Sequence, residues 1–313
     1  MKVDFWKTKS LYELNTWQTE GLAKALKDLG VEVRYIDEES HYIRSSLQRL
    51  WSEPPRKILS FAAIPFIKNL KLDIPHLQLQ SLLPAIPKEV ITPPIAKKGI
   101  AYFGSYRDNE SINKNLYQFF STRIIEKIRV SLKECLEGIP PQEAFQEEAD
   151  KMLGVDREAV YFLMDYLVRS LLAKKMLQSF DSVAIYGSML LPEDYRSLCK
   201  GSWEKWACTY PHFSYHGPLS APEVVSAMSG YALILDPTPG YSAVSLRLLQ
   251  GLASGGEVLT YRNPLVESYF GRGNGVSYVG EDPLPQNIEE GQAILRKFFI
   301  WEVRAKEILD GID

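Results

Sequence analysis

The chain opens with a change of hydrophobic period. Lys2–Trp6 reads as a short, apolar-leaning strand, and a polar loop follows it through Asn15 and Thr16. Trp17, Gly21, Leu22, Ala25, Leu26 and Leu29 then recur at the spacing of one helix face, and Gly30 stops the helix. Val31–Ile36 alternates as a strand does and runs into the acidic patch Asp37-Glu38-Glu39. Strand, helix and strand in so short a span predict a right-handed crossover and a parallel sheet. Lys57–Ile64 and Ile74–Leu79 are further strand candidates. Leu83–Pro94 holds four prolines and no periodicity, which predicts a linker.

Beyond the linker the strand Gly99–Phe103 leads into Gly104, and a long helical stretch follows. It comprises Ile112–Leu136, a Pro140-Pro141 break with an acidic run (Glu143, Glu147, Glu148) that reads as a solvated helix face, and Arg157–Phe180. Strands and helices then alternate. Ser182–Tyr186 ends at Gly187, Phe213–His216 at Gly217, and Tyr231–Leu235 at Asp236-Pro237; Val244–Ala253 is a helix, and Glu257–Tyr261 and Gly275–Val279 are strands. One closing helix is expected from Gln286 to Leu309. The alternation implies open parallel sheets, one on each side of the linker, with ligands at the carboxyl ends of the strands. The expected fold class is thus α/β, with two Rossmann-like lobes. Residues 1–90 form the shorter one, and residues 91–313 form the larger, with the helical segment 111–180 after the linker and the closing helix.

Composition narrows the partners. Of 313 residues 45% are hydrophobic and 24% charged, an average globular mixture with enough length for two cores. With 39 acidic residues against 36 Lys and Arg the formal charge is −3, which gives no reason to expect a nucleic-acid partner. No apolar run approaches the roughly 20 residues of a membrane span, and the first residues lack a signal-peptide core, so a cytoplasmic protein is expected. Cys199, Cys208, His212 and His216 lie close in sequence but lack the short Cys-x-x-Cys knuckle of a structural zinc site. Among so many aromatic residues they read as buried and unliganded, and no metal is expected.

Three strand-then-glycine turns carry the candidate chemistry: Gly104-Ser105 with Arg107 nearby, Gly187-Ser188, and Pro239-Gly240-Tyr241-Ser242. Glycine there lets backbone N–H groups approach a phosphate, and a following helix N-terminus adds partial positive charge. Glycine also ends strands for plain steric reasons. There is no P-loop, and Gly271–Gly275 reads as a surface turn. Ser220 and Glu223 form a capping box. Ser242 and Ser245 precede a helix on which Arg247 and Gln250, three residues apart, share nearly one face. An arginine fork suits a diphosphate and an amide suits ribose hydroxyls. The plainer alternative is a solvated helix whose arginine pairs with Glu257 or with nothing.

The segment Leu233–Pro237, Arg247-Leu248-Leu249-Gln250, Ala253-Ser254-Gly255 and Val258-Leu259-Thr260, followed by the Asn263–Glu267 turn, resembles the C-terminal lobe of GT-B glycosyltransferases, most of all their CgeB-like branch. Tyr102–Ser105 and Ile185–Ser188 are similar to that group's turns. The resemblance covers roughly Gly99 to Asp313 and implies a metal-independent transferase moving a sugar from a UDP- or GDP-sugar to an acceptor (glycan, lipid or protein), with no tightly bound cofactor. It implies Gly104, Ser105, Arg107, Gly187, Ser188, Ser242, Ser245 and Arg247 around the diphosphate and Gln250 at the ribose, where the family has glutamate. That replacement, with the short first lobe, keeps open an inactive binding or scaffold protein; a nucleotide-sugar epimerase is a further alternative. For the catalytic group Asp37 and His76 are candidates, with Asp73 beside them and Asn15 and Thr16 as acceptor contacts.

Overall fold

The structure, a computed structural model, describes residues 2–7, 13–37, 57–60, 76–78, 84–95, 97–104, 121–151, 157–187, 203–217 and 219–312. The chain divides into two compact units, Met1–Val90 with Ile294–Asp313, and Ile91–Ala293.

The first unit contains β1 (Lys2–Lys7), α1 (Glu13–Asp28), β2 (Glu32–Asp37), β3 (Lys57–Ser60) and β4 (His76–Gln78). Its sheet has the order β2-β1-β3-β4, and every pair is parallel. Leu22, Ala25 and Leu26 of the apolar stripe are buried with Val3, whereas Leu29 lies exposed in the turn that ends the helix. Nothing between Glu13 and Trp17 breaks a helix, so α1 starts a turn earlier than expected, and Asn15 and Thr16 stand in it rather than in a loop.

The expected closing helix is two helices, α10 (Ile288–Phe298) and α11 (Trp301–Ile312). The break has a backbone cause. Phe299 gives its carbonyl to the Ile86 N–H at 2.9 Å, and the Trp301 N–H donates to the Ile86 carbonyl at 3.2 Å, in an isolated bridge between Ile86 and Ile300. Helix continuation would need those same groups. Gln18 fixes the neighbouring residue, donating from Nε2 to the Ala85 carbonyl at 2.6 Å. α11 then lies against α1 so closely that a Cβ on Gly21 would stand 2.1 Å from the Trp301 ring.

The second unit contains β5 (Ile100–Phe103), α2 (Thr122–Leu136), α3 (Pro141–Ala144), α4 (Gln146–Asp150), α5 (Arg157–Leu177), β6 (Val183–Tyr186), α6 (Trp203–Thr209), β7 (Phe213–Tyr215), α7 (Ala221–Met228), β8 (Leu233–Asp236), α8 (Leu246–Ala253), β9 (Glu257–Thr260), α9 (Pro264–Phe270) and β10 (Val276–Tyr278). Its six strands run β10-β9-β8-β5-β6-β7, all parallel. Ala101, Tyr102 and Phe103 are buried in succession, as are Val183, Ala184 and Ile185, the unbroken apolar run of a strand covered on both faces. Ile125 and Ile128 of α2, Phe145, and Met164, Leu167 and Val168 of α5 form a separate core, against which Tyr241 and Tyr261 pack. The capping box is present at α7, with the Ser220 N–H donating to Glu223 Oε2 at 2.8 Å. Glu143 and Glu147 are exposed as expected of a solvated face, whereas Glu148 is drawn in by Lys127 at 2.6 Å. Among the described residues no helix is long and apolar enough to cross a membrane.

Candidate functional site

The register sets a row of residues along the carboxyl edge of the six-stranded sheet. Phe103 pairs with Tyr186, Asp236 with Thr260, and Thr260 with Tyr278. Asp236, 1% exposed, is the charged member of this row. A carboxylate taken that far from water has to be paired and hydrogen-bonded. Asp236 is: Oδ1 accepts from Thr238 Oγ1 at 2.7 Å and from Arg247 Nη1 at 2.9 Å, and Oδ2 accepts from Ser245 Oγ at 2.6 Å.

Two of those donors come from the start of α8. Ser245 is its N-cap and accepts the Leu248 N–H at 3.0 Å, so one hydroxyl both caps the helix and serves Asp236. Arg247, in the first turn, reaches back over the sheet edge. Its Nε donates to the Phe103 carbonyl, and its guanidinium carbon lies 5.0 Å from the centre of the Tyr102 ring. Its Nη2 lies beside Gly104, where a Cβ would stand 2.7 Å away. A fixed, half-buried cation therefore stands at the junction of β5, β8 and the positive end of a helix. Its counter-ion is Asp236; Glu257, the partner in the plainer alternative, instead accepts from the Ser277 hydroxyl.

The glycine turns brace one another. The Gly104 N–H donates to the Tyr186 carbonyl at 2.9 Å and the Gly187 N–H to the Gly217 carbonyl at 3.0 Å. Trp203 Nε1 donates to the Gly104 carbonyl at 2.7 Å, and the Tyr215 hydroxyl to the Gly187 carbonyl at 2.9 Å. Gly187 has a φ of +155°, and a Cβ there would fall 1.9 Å from the Gly104 oxygen, so the two turns meet only because this residue has no side chain. Beside them Phe103, Tyr186 and His216 stack, with ring centres 4.7 and 4.8 Å apart. The Tyr186 hydroxyl meets that of Tyr231 at 2.8 Å; burial foremost, with that hydrogen bond, pushes the Tyr231 hydroxyl well above its ordinary range.

The turn before α8 is held from α5. Arg169 Nε donates to Asp165 Oδ2 at 2.7 Å, Arg169 Nη2 to Ser242 Oγ at 2.8 Å, and the Tyr241 hydroxyl to Asp165 Oδ1 at 2.9 Å. Burial, and after it the Asp165 charge, raises Tyr241 far above the usual phenol range. Asn263 Nδ2 donates to the Ser242 carbonyl at 2.6 Å.

Of the residues singled out in the sequence, Gly104, Ser245 and Arg247 meet around Asp236, and Ser242 lies in the preceding turn. Gln250 does not share Arg247's exposure: it is 4% exposed, and its Nε2 is a buried donor with no acceptor among the described residues. Ser105, Arg107, Ser188, Asp73 and Cys199 lie outside the described residues. Asp37 and His76 are placed by their backbones alone, as are Asn15 and Thr16. Asp37 ends β2 and His76 begins β4, the outer strands of the smaller sheet. Three strand spacings, roughly 14 Å, separate those strands, so the fold does not bring the two candidates together. Cys208, His212 and His216 are exposed rather than buried. Among the described residues no group of three or more His, Cys, Asp or Glu could hold a metal ion.

Sequence reasoning passed over Asp236, Asp165 and Arg169. The signal for Asp236 was an acid directly after the apolar strand Leu233–Leu235, followed by Pro237 and Thr238. The signal for the other two was an Asp and an Arg four residues apart in the mostly apolar middle of a helix.

No protein-family profile matches the chain, and no curated protein does. Among solved structures it is similar to AviGT4, a glycosyltransferase involved in avilamycin A biosynthesis, at 10% identity over 99% of this chain and 96% of that one, with a TM-score of 0.45. It is similar also to Anabaena HepE in complex with UDP, at 7% identity over 99% and 98% of the two chains, with a TM-score of 0.47. WaaG, a glycosyltransferase involved in lipopolysaccharide biosynthesis, matches at 14% identity over 97% and 93%, with a TM-score of 0.36.

Proposed function

We propose that the chain is a glycosyltransferase that holds a nucleotide-sugar at the carboxyl edge of its six-stranded sheet and passes the sugar to an acceptor. The observation that carries this reading is Arg247, a half-buried cation fixed beside Gly104 at the start of α8, where an open parallel sheet collects its ligands. An anion there would meet a guanidinium and the positive end of a helix together. Both are in place before the reaction, so they would stabilise the charge that builds on a leaving diphosphate without a metal ion. Ser242 would add a hydroxyl donor, and Ser105, Arg107 and Ser188 stay in the proposed donor set. Gln250 would place its amide against a ribose hydroxyl; its Nε2, a buried donor without an acceptor among the described residues, supports that assignment, because an unmet buried donor costs about 1–3 kcal/mol. Asp37 is the better candidate for the catalytic group, since it stands at the carboxyl edge of its own sheet and His76 does not.

A second reading, a binding or scaffold protein without turnover, is favoured by a specific observation. Arg247 already has a counter-ion in Asp236, and the N–H groups of Gly104 and Gly187 are spent on neighbouring turns. Thermal unfolding against UDP, GDP and their sugars separates the two. The transferase reading expects a base-selective rise, about 2.7 kcal/mol at 100 times Kd, and release of free sugar or transfer product. The rise should shrink in Arg247→Lys, which keeps a positive charge near Asp236 but loses the fork. Stabilisation without turnover favours the scaffold, and no stabilisation removes the donor site.

A further inference from the structure

We infer that Asp165 and Arg169 of α5 are positioning residues for the oxyanion site, acting through the turn that precedes α8; this rests on the donor-site reading above. The pair occupies one face of α5, four residues apart, and reaches two consecutive turn residues. Asp165 takes the Tyr241 hydroxyl at 2.9 Å, and Arg169 donates to Ser242 Oγ at 2.8 Å. The backbone of the turn is fixed separately. The Ser242 N–H donates to the Pro239 carbonyl at 3.0 Å, Asn263 holds the Ser242 carbonyl at 2.6 Å, and a Cβ on Gly240 would lie 2.4 Å from the Arg262 carbonyl oxygen. What α5 adds is control of the side chains.

A hydroxyl has one hydrogen to give and two lone pairs to accept with. The Arg169 N–H occupies the accepting side of Ser242 Oγ, which leaves the hydrogen of Ser242 to be given to an acceptor. An oxyanion at the start of α8 is such an acceptor. Asp165 neutralises Arg169 at 2.7 Å, so the pair contributes direction rather than net charge, and Arg247 remains the attracting cation. The helical segment between β5 and β6 therefore takes part in ligand binding through α5.

The test uses the full chain and whichever of UDP or GDP shifts wild-type unfolding, with Kd measured by calorimetry and the melting midpoint without nucleotide recorded alongside. Arg169→Leu and Ser242→Ala should each weaken binding about tenfold, and the double variant no more than either alone. Asp165→Asn, which keeps an acceptor for Tyr241 but loosens Arg169, should fall between. A purely structural pair would lower the midpoint and leave Kd unchanged, which overturns the inference. Should Arg169→Leu fail to fold, Ser242→Ala decides alone, because it leaves the Asp165–Arg169 and Asp165–Tyr241 bonds in place; wild-type affinity in it is a refutation. Unchanged affinity in Arg169→Leu beside loss in Arg247→Lys refutes the positioning role and leaves the donor site standing. Absence of binding in wild type removes the donor site and this inference together.

Discussion

Asp236 and Arg247 bind each other where one of them has almost no water, and that asymmetry governs what substitution does. Arg247→Ala would leave a buried carboxylate with Thr238 and Ser245 as its remaining donors among the described residues, and a loss of about 3 kcal/mol in denaturant unfolding is expected. Changing both members, as Asp236→Asn with Arg247→Met, removes the charge and its counter-charge together, and should cost less than the two single changes added. A strictly additive cycle would show that the pair is not coupled. Gly187→Ala should lose about 3 kcal/mol or more, since its Cβ would enter the Gly104 carbonyl. Part of this was legible in the sequence. Serine before an apolar helix and an arginine in its first turn are local signals, so Ser245 and Arg247 could be picked out. Asp236 carried a weaker signal, because an acid between an apolar strand and a proline looks like any turn former until the fold brings an arginine back onto it. The glycines were legible as turns, but their mutual packing depends on strands far apart in sequence.

The elements follow their periodicity where burial imposes it. The stripe Leu22, Ala25, Leu26 located α1, and the apolar runs at 101–103 and 183–185 located the central strands. Ends were less legible. The start of α1 lies where no breaker or cap marks it in the sequence, and the break between α10 and α11 depends on a partner, Ile86, more than two hundred residues earlier in the chain. Ser245→Ala removes the cap of α8 and a donor to Asp236, and should cost about 1–2 kcal/mol, or a few degrees in Tm for a unit of this size. Gly251→Ala places a Cβ 2.6 Å from Val258 on β9, so α8 must lift from the sheet; about 1–3 kcal/mol should be lost. Wild-type stability in Gly251→Ala would show that α8 does not sit this close.

At the scale of the whole molecule, the phenols of the second unit set an alkaline limit. Burial raises Tyr261 to about 12, and burial foremost, with the Glu267 and Glu281 charges, raises Tyr278 to about 12; Tyr231 and Tyr241 are raised also. A folded-state pKa above the unfolded value of 10 means that the unfolded chain gives up its protons first. The contribution is therefore complete below pH 10 and is lost as pH rises from 10 to about 12. Tm should stay level toward pH 9 and fall steeply above 10; a Tm that held level to pH 12 would contradict the burial of these rings.

The anion site at Arg247 is tested by calorimetric titration of the protein with UDP and GDP, without added metal, beside Arg247→Lys. Saturable binding of one of them, weakened at least tenfold in the variant, is expected. Equal binding by both proteins, or binding by neither, would contradict it.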